Sequence, residues 1–319
     1  MTRRSKFLAL ALLLTVVVLI GGVAAYPFIR GDMETIELNA AVRAKMPDKH
    51  FVTLSGGVTH YQWAGPRDGQ RVVLIHGLTS PAFLWDRQFD PLAEAGFRVL
   101  RSDLFGRGYS DRPDVRYTAE FYQRQLRDLL DSQGVTEPVD LVGLSMGGAI
   151  TVQFIDAYPE RVRRFALFAP AGFPVPVPLK YRVIKWPGVG EWFMKAFGDP
   201  IIISGITERI TEDPARQAAF ETQYIEQMRY KGYKRALLST LRHNPLLNLQ
   251  NVYERVGRSG KAGILFWGTN DRVVSFDHHE HVRAAIPDIE FHVIDGAGHT
   301  SNYEVPDIVN PQLIAFLKR

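Results

Sequence analysis

The 319-residue chain contains no cysteine. Disulfides, thiolate nucleophiles and cysteine-built zinc or iron–sulfur sites are excluded, while the compartment stays open, because a cysteine-free chain suits either redox environment. A P-loop, a G-x-G-x-x-G dinucleotide turn and a zinc-binding H-E-x-x-H helix are also missing. The sequence therefore implies no nucleotide cofactor and no metal. Nor is there a real excess of charge. The formal net charge is +4, but Arg3, Arg4 and Lys6 sit together at the start; taking those three from the 38 basic residues leaves 35 against 34 acidic ones. A nucleic-acid partner is not expected from so local an excess. With 46% hydrophobic and 23% charged residues, the chain can bury a sizeable core, so disorder is ruled out.

Charge is absent altogether from Phe7 to Ile29, a run of 23 residues. As a helix this run is roughly 35 Å long, against a hydrocarbon core of about 30 Å. Arg3, Arg4 and Lys6 precede it, and the positive-inside rule then places residues 30–319 outside the cytoplasm. Three readings are open: an uncleaved membrane anchor, which is the expectation; a signal peptide cleaved after Val23-Ala24-Ala25; and a buried core helix. The first two both export the remainder. The division expected is an anchor or signal over residues 1–30 and one folded domain over 31–319.

Residues 31–48 are polar and weakly patterned, fit for a linker or a membrane-proximal helix. His50–Ser55 and Val58–Ala64 flank Gly56-Gly57 and predict a hairpin. Six apolar runs with little alternation follow: Val72–Ile75, Arg98–Leu100, Val139–Val142, Phe165–Phe168, Gly263–Trp267 and Ile289–Ile294. Strands covered on both faces have this character, as in parallel sheets. Helical patterns lie between them, at Pro81–Ala95, Thr118–Gln133, Met146–Ala157 and Pro306–Lys318. The alternation predicts an α/β fold with a mostly parallel sheet. It breaks once, over Gly172–Asn244, where Val189–Phe197, Pro214–Tyr230 and Gly232–His243 read as helices of an inserted subdomain.

The chemistry centres on Gly143-Leu144-Ser145-Met146-Gly147. A G-x-S-x-G match alone is weak, but here it follows one apolar strand and opens a helix, the setting of a nucleophile elbow that presents Ser145 above the sheet. A serine hydroxyl needs a base, and the base needs an orienting acid. Asp271 follows the run Gly263–Trp267, and His299 follows Ile289–Ile294. Upstream, His76-Gly77-Leu78 follows Val72–Ile75, and Asp103-Leu-Phe-Gly106-Arg-Gly108-Tyr-Ser110 follows Arg98–Leu100.

In these four motifs and their order the chain resembles the α/β-hydrolase family over roughly residues 50–319, with the insertion at the family's cap position. The resemblance implies a catalytic triad of Ser145 as nucleophile, His299 as general base and Asp271 as its orienting acid. It also implies an oxyanion hole formed by the backbone N–H groups of Leu78 and Met146. His76 is a rival base by motif, but it precedes the serine and belongs to the oxyanion turn. Asp103 reads as a structural loop residue. His278, Glu280 and His281, near Asp277 and His279, offer a metal-like cluster, for which a solvated helix start is the simpler reading.

Serine at position 145 sets the chain apart from the haloalkane dehalogenases and epoxide hydrolases of the family, which carry aspartate there. The pattern is similar to monoacylglycerol-lipase-like and carboxylesterase members, which implies a small-molecule acyl ester as substrate and no cofactor. The alternatives are a carbon–carbon bond hydrolase of the meta-cleavage type and, more remotely, a non-catalytic binding protein on the same fold. The segment Phe173–Phe197 combines Phe173, Tyr181, Trp186, Trp192, Phe193 and Phe197 with Lys180, Arg182, Lys185 and Lys195. That composition suits a membrane interface or a lid packing its aromatics over the pocket.

Overall fold

The computed structural model describes residues 3–46, 50–174, 182, 184–205, 213–243, 246 and 248–319. Among these, eight strands form one sheet: β1 (His50–Leu54), β2 (Gly57–Ala64), β3 (Arg71–Ile75), β4 (Arg98–Ser102), β5 (Val139–Leu144), β6 (Val162–Phe168), β7 (Gly263–Gly268) and β8 (Glu290–Ile294). Their spatial order is β1-β2-β4-β3-β5-β6-β7-β8. The β1/β2 and β2/β4 pairs are antiparallel, and all others are parallel. The predicted hairpin is present with its turn displaced by one residue: Leu54 pairs with Gly57, so Ser55-Gly56 form the loop.

The apolar runs become strands because both faces of the sheet are covered. Along β3, Val73 and Ile75 face one core with Leu126, Leu129, Ile150 and Phe154, from the helices Ala119–Ser132 and Met146–Ala157. Val72 and Leu74 face the other core with Phe89, Leu92, Leu313 and Phe316, from the helices Asp86–Glu94 and Pro306–Lys318. Each fully buried side chain of this size contributes about 1.5–3 kcal/mol. The segment Pro81–Ala95 is not one helix as expected. A 3₁₀ turn at Ala82–Trp85 precedes the helix that starts at Asp86.

Strand β3 pairs with β4 on one side and β5 on the other. The chain reverses its direction of winding there, and ligands of α/β sheets bind in the crevice outside the carboxyl ends of such strands. Between β6 and β7 the described residues form the helices Val189–Ser204, Pro214–Met228, Tyr233–His243 and Gln250–Gly257. Asn244, the expected end of the insertion, and the segment 175–181, with Lys180 and Tyr181, lie outside the described residues.

The helix Arg3–Ile29 carries the uncharged run. Its described side chains are almost all exposed, and Pro27 alone among them is buried, so the core-helix reading is overturned. What remains is an exposed apolar helix of spanning length. The polar segment that follows is held against the helical insertion, Ile36 bridging to Tyr230, with a single helical turn at Ala40–Arg43.

Candidate active site

Ser145 stands between β5 and the helix Met146–Ala157 with φ 55° and ψ −117°, a conformation that costs a non-glycine residue on the order of 1–3 kcal/mol. Three hydrogen bonds hold it: its N–H donates to Phe168 O (2.9 Å), and its carbonyl accepts from the N–H groups of Ala149 (3.1 Å) and Ala171 (3.0 Å). The flanking glycines are steric necessities. A Cβ on Gly143 would lie 2.4 Å from Gly147 O, and one on Gly147 would lie 2.0 Å from Ile75 O. The serine is not displayed to solvent as the elbow reading suggests. It is 9% exposed and turned into a cavity of about 1000 Å³ beneath the helical insertion.

The loops after β7 and β8 bring Asp271 and His299 together. One Asp271 oxygen accepts from the N–H groups of Val273 (2.8 Å) and Val274 (2.9 Å); the other accepts from His299 Nδ1 (2.8 Å). A carboxylate is acceptor-only, so Nδ1 carries the proton and Nε2 is left with a lone pair. The Asp271 side chain is completely buried, while that of His299 is partly exposed. His299 and Ser145 line the same cavity, with Gly77 and Leu78 beside them. Among the described residues no hydrogen bond joins Ser145 Oγ to His299, an open arrangement common in unliganded sites. Leu78 borders the cavity, and Met146, as the first residue of its helix, has an N–H without an intrahelical acceptor.

His76 cannot compete as the base. Its Nδ1–H donates to Gly77 O (2.8 Å) and its Nε2 accepts from Leu104 N–H (2.9 Å). Both ring nitrogens are committed, and complete burial pushes its pKa down to about 4. Asp103 is equally structural. Burial would raise its pKa, but the adjacent His60 ring (2.7 Å) and the Tyr109 N–H (2.8 Å) hold the carboxyl far below the usual range. His278 and His281 do lie near each other, with ring centroids 5.8 Å apart, yet among the described residues no three His, Asp or Glu side chains converge to hold a metal.

Two side chains at the site are singled out by no motif: Glu304 lies outside all four, and Arg107 fills an unspecified position of the Asp103–Ser110 loop. The Glu304 carboxylate accepts from Gly298 N–H (2.6 Å), Thr300 N–H (3.0 Å) and the Thr300 hydroxyl (2.9 Å), so it grips the chain on both sides of His299. Arg107, fully buried, donates from Nε to Leu78 O (2.5 Å) and from a terminal nitrogen to Thr240 (3.2 Å), bracing the turn that contains Leu78. A lone acid five residues beyond a histidine, and one arginine among 38 basic residues, give no signal by spacing. The aromatic cavity lining also differs from expectation. It comes from Phe220 and Tyr224, not from the described members of the Phe173–Phe197 group. Of these, Phe173 is buried against Tyr253 and His281, while Trp186 is exposed.

Residues 70–306 match the model of the alpha/beta hydrolase fold, and the chain belongs to that family. Among proteins of similar sequence, the 2-hydroxy-6-oxo-6-phenylhexa-2,4-dienoate hydrolase of Comamonas testosteroni is 28% identical, the match covering 90% of this chain and 99% of that protein. The cis-3-alkyl-4-alkyloxetan-2-one decarboxylase of Xanthomonas campestris is also 28% identical, over 80% of this chain and 90% of its own. Among solved structures, the enol-lactonase of Burkholderia xenovorans superposes with a TM-score of 0.73 at 21% identity, covering 85% of this chain and all of that one.

Proposed function

We propose that this α/β hydrolase cleaves lipophilic carboxylic esters through an acyl-enzyme on Ser145. Ser145 Oγ attacks the acyl carbonyl, His299 Nε2 takes the hydroxyl proton and returns it to the leaving alcohol, and Asp271 holds the tautomer and stabilises the imidazolium. The N–H groups of Leu78 and Met146 bind the oxyanion. Water, activated by the same histidine, then releases the acid. The observation that carries this reading is the Asp271–His299 bond (2.8 Å), which leaves Nε2 free to accept a proton in the cavity that also holds Ser145. The protein is further read as membrane-anchored through residues 7–29 with its catalytic domain extracytoplasmic, rather than secreted after cleavage. An apolar, exposed helix behind Arg3, Arg4 and Lys6 supports this.

A carbon–carbon bond hydrolase draws equal support from the relatives, since the Comamonas protein bears that kind of name. Arg216, paired with Asp213 (3.1 Å), and Arg272 border the cavity and offer positive charge there, which suits a substrate with a carboxylate. One comparison separates the two: turnover of p-nitrophenyl esters from acetate to palmitate against turnover of a 2-hydroxy-6-oxo-dienoate. The ester reading requires kcat/KM to favour the esters and to peak at a medium or long chain. Preference for the dienoate would overturn it in favour of the second reading.

A further inference from the structure

The anchor helix lies alongside the insertion, not against the α/β core. Trp192 Nε1 donates to Val23 O (3.2 Å), Tyr26 stacks on Phe197 (ring centroids 5.6 Å), Lys195 sits over the Phe28 ring (3.9 Å), and Arg30 donates to Ala196 O. The backbone-linked contacts Val23 with Trp192, Arg30 with Ala196 and Met33 with Asp199 (3.3 Å) advance in the same direction along both segments, so the helix Val189–Ser204 runs parallel to the last turns of the anchor. Its first turn is level with Val23, and its far end meets the cavity at Gly205.

The alignment is locked just beyond the anchor. Lys234 Nζ, nearly buried, pairs with Asp32 (2.7 Å) and Asp199 (2.8 Å). The Glu34 carboxylate accepts from the N–H groups of Gly232 (3.0 Å) and Lys234 (2.5 Å). The loop ahead of the helix is fixed as well: Arg242 donates to the carbonyls of Lys185 and Trp186, both at 2.9 Å, and is paired with Glu191.

Held this way, Trp186 (61% exposed) and Val189 (45%) are exposed on the part of the insertion that meets the last turns of the anchor, where Val23 (58%), Phe28 (72%) and Ile29 (79%) are exposed as well. Arg182 and Lys185 are exposed beside them. Val23 lies six residues, roughly 9 Å, inside the end of the anchor at Ile29. That depth is typical of an interfacial segment buried about 5–10 Å at the headgroup–acyl boundary. We propose that Trp186 and Val189, with the first turn of the helix Val189–Ser204, form a second membrane contact that sinks into the same leaflet as the anchor's outer end, with Arg182 and Lys185 facing lipid headgroups. The partner is the bilayer surface itself, and the proposal rests on reading residues 7–29 as an anchor.

The absence of cysteine makes the test direct. Single cysteines replace Trp186, Val189, Val18 or Val293 in the full-length chain. Val293 is 50% exposed on β8, on the α/β core, and serves as control. Each variant is labelled with an environment-sensitive fluorophore and reconstituted in vesicles of phosphatidylcholine and phosphatidylglycerol, with and without phosphatidylcholine spin-labelled near the headgroup. The labels at 186 and 189 should shift to the blue and lose most of their emission to the spin label, while the label at 293 does neither. Labels at 186 and 189 that behave like the one at 293, while the label at 18 reports hydrocarbon, would overturn the second contact and leave the anchor intact. If the label at 18 also reports water, the anchor reading fails and takes the second contact with it.

Discussion

Asp271 meets His299 with one carboxylate oxygen and two backbone N–H groups with the other, which fixes the carboxylate and the tautomer of the ring proposed as the base. Asp271→Asn keeps an oxygen for Val273 and Val274 but offers an amide N–H to His299 Nδ1, so the proton moves to Nε2 and the ring can no longer accept from serine. Initial rates on a p-nitrophenyl ester should fall on the order of 10⁴-fold with little change in melting temperature. A loss of less than about tenfold, 1.4 kcal/mol in the barrier, would show that Asp271 does not orient the base.

Gly147 has no room for a methyl group, because a Cβ would lie 2.0 Å from the Ile75 carbonyl and 2.6 Å from that of His76. Neither backbone oxygen can retreat without moving β3. Gly147→Ala should therefore destabilise by more than the roughly 1–3 kcal/mol of ordinary overpacking. Thermal unfolding reads this out, and a variant melting within a few degrees of the parent would contradict the tight elbow.

His76 makes a stability prediction. Its pKa is about 4 when folded and 6.5 in a model compound. Between those values the unfolded chain binds more protons, so stability is lost as pH falls from 6.5 towards 4, by about 3 kcal/mol in all. Asp140 acts oppositely over nearly the same window: burial, only partly offset by Arg163, raises its pKa from 3.8 to about 6. The net pH profile conceals both, so the variant is the probe. His76→Gln should cost stability at pH 7 yet lose less than the parent between pH 6.5 and 4, as read by urea unfolding. Parallel profiles would mean that His76 is not held neutral.

Glu304 grips the residues on either side of His299, and the loop loses charge-assisted hydrogen bonds if it is removed. Glu304→Ala should lower kcat on the order of tenfold to a hundredfold through misplacement of the imidazole, with KM nearly unchanged. Glu304→Gln, which can still accept from Gly298 or Thr300, should recover part of that. A rise in KM alone would assign Glu304 to substrate binding.

The strands that bear the chemistry were legible in the sequence because burial on both faces makes them continuous apolar runs, as in Val72–Ile75 and Val139–Val142, and the G-x-S-x-G turn joins one of them to a helix. What escaped was single charged residues whose partners are remote or carry no period. Lys234 meets Asp32 across 202 residues, and nothing local to either announces the pair. Aromatic composition in Phe173–Phe197 pointed to membrane or pocket, but only tertiary packing decides that Phe173 is buried, Trp186 is exposed, and the pocket is lined by Phe220 and Tyr224.

The Asp32–Lys234 pair also sets where the chain can be shortened. A variant beginning at Gly31 keeps Asp32 and Glu34 and should remain folded and active on short-chain esters. One beginning at Asn39 leaves Lys234 short of a partner and the Gly232 N–H without its acceptor, each costing about 1–3 kcal/mol. It should melt clearly lower. Equal melting temperatures would show that the clasp does not stabilise the insertion.

Covalent catalysis by Ser145 is tested most directly by intact-protein and peptide mass spectrometry after reaction with a fluorophosphonate. One phosphonyl adduct per chain is expected, located on Ser145, formed more slowly while an ester substrate is present in excess and absent from a folded Ser145→Ala variant. An adduct on another residue, or none on a folded wild-type chain, would contradict it.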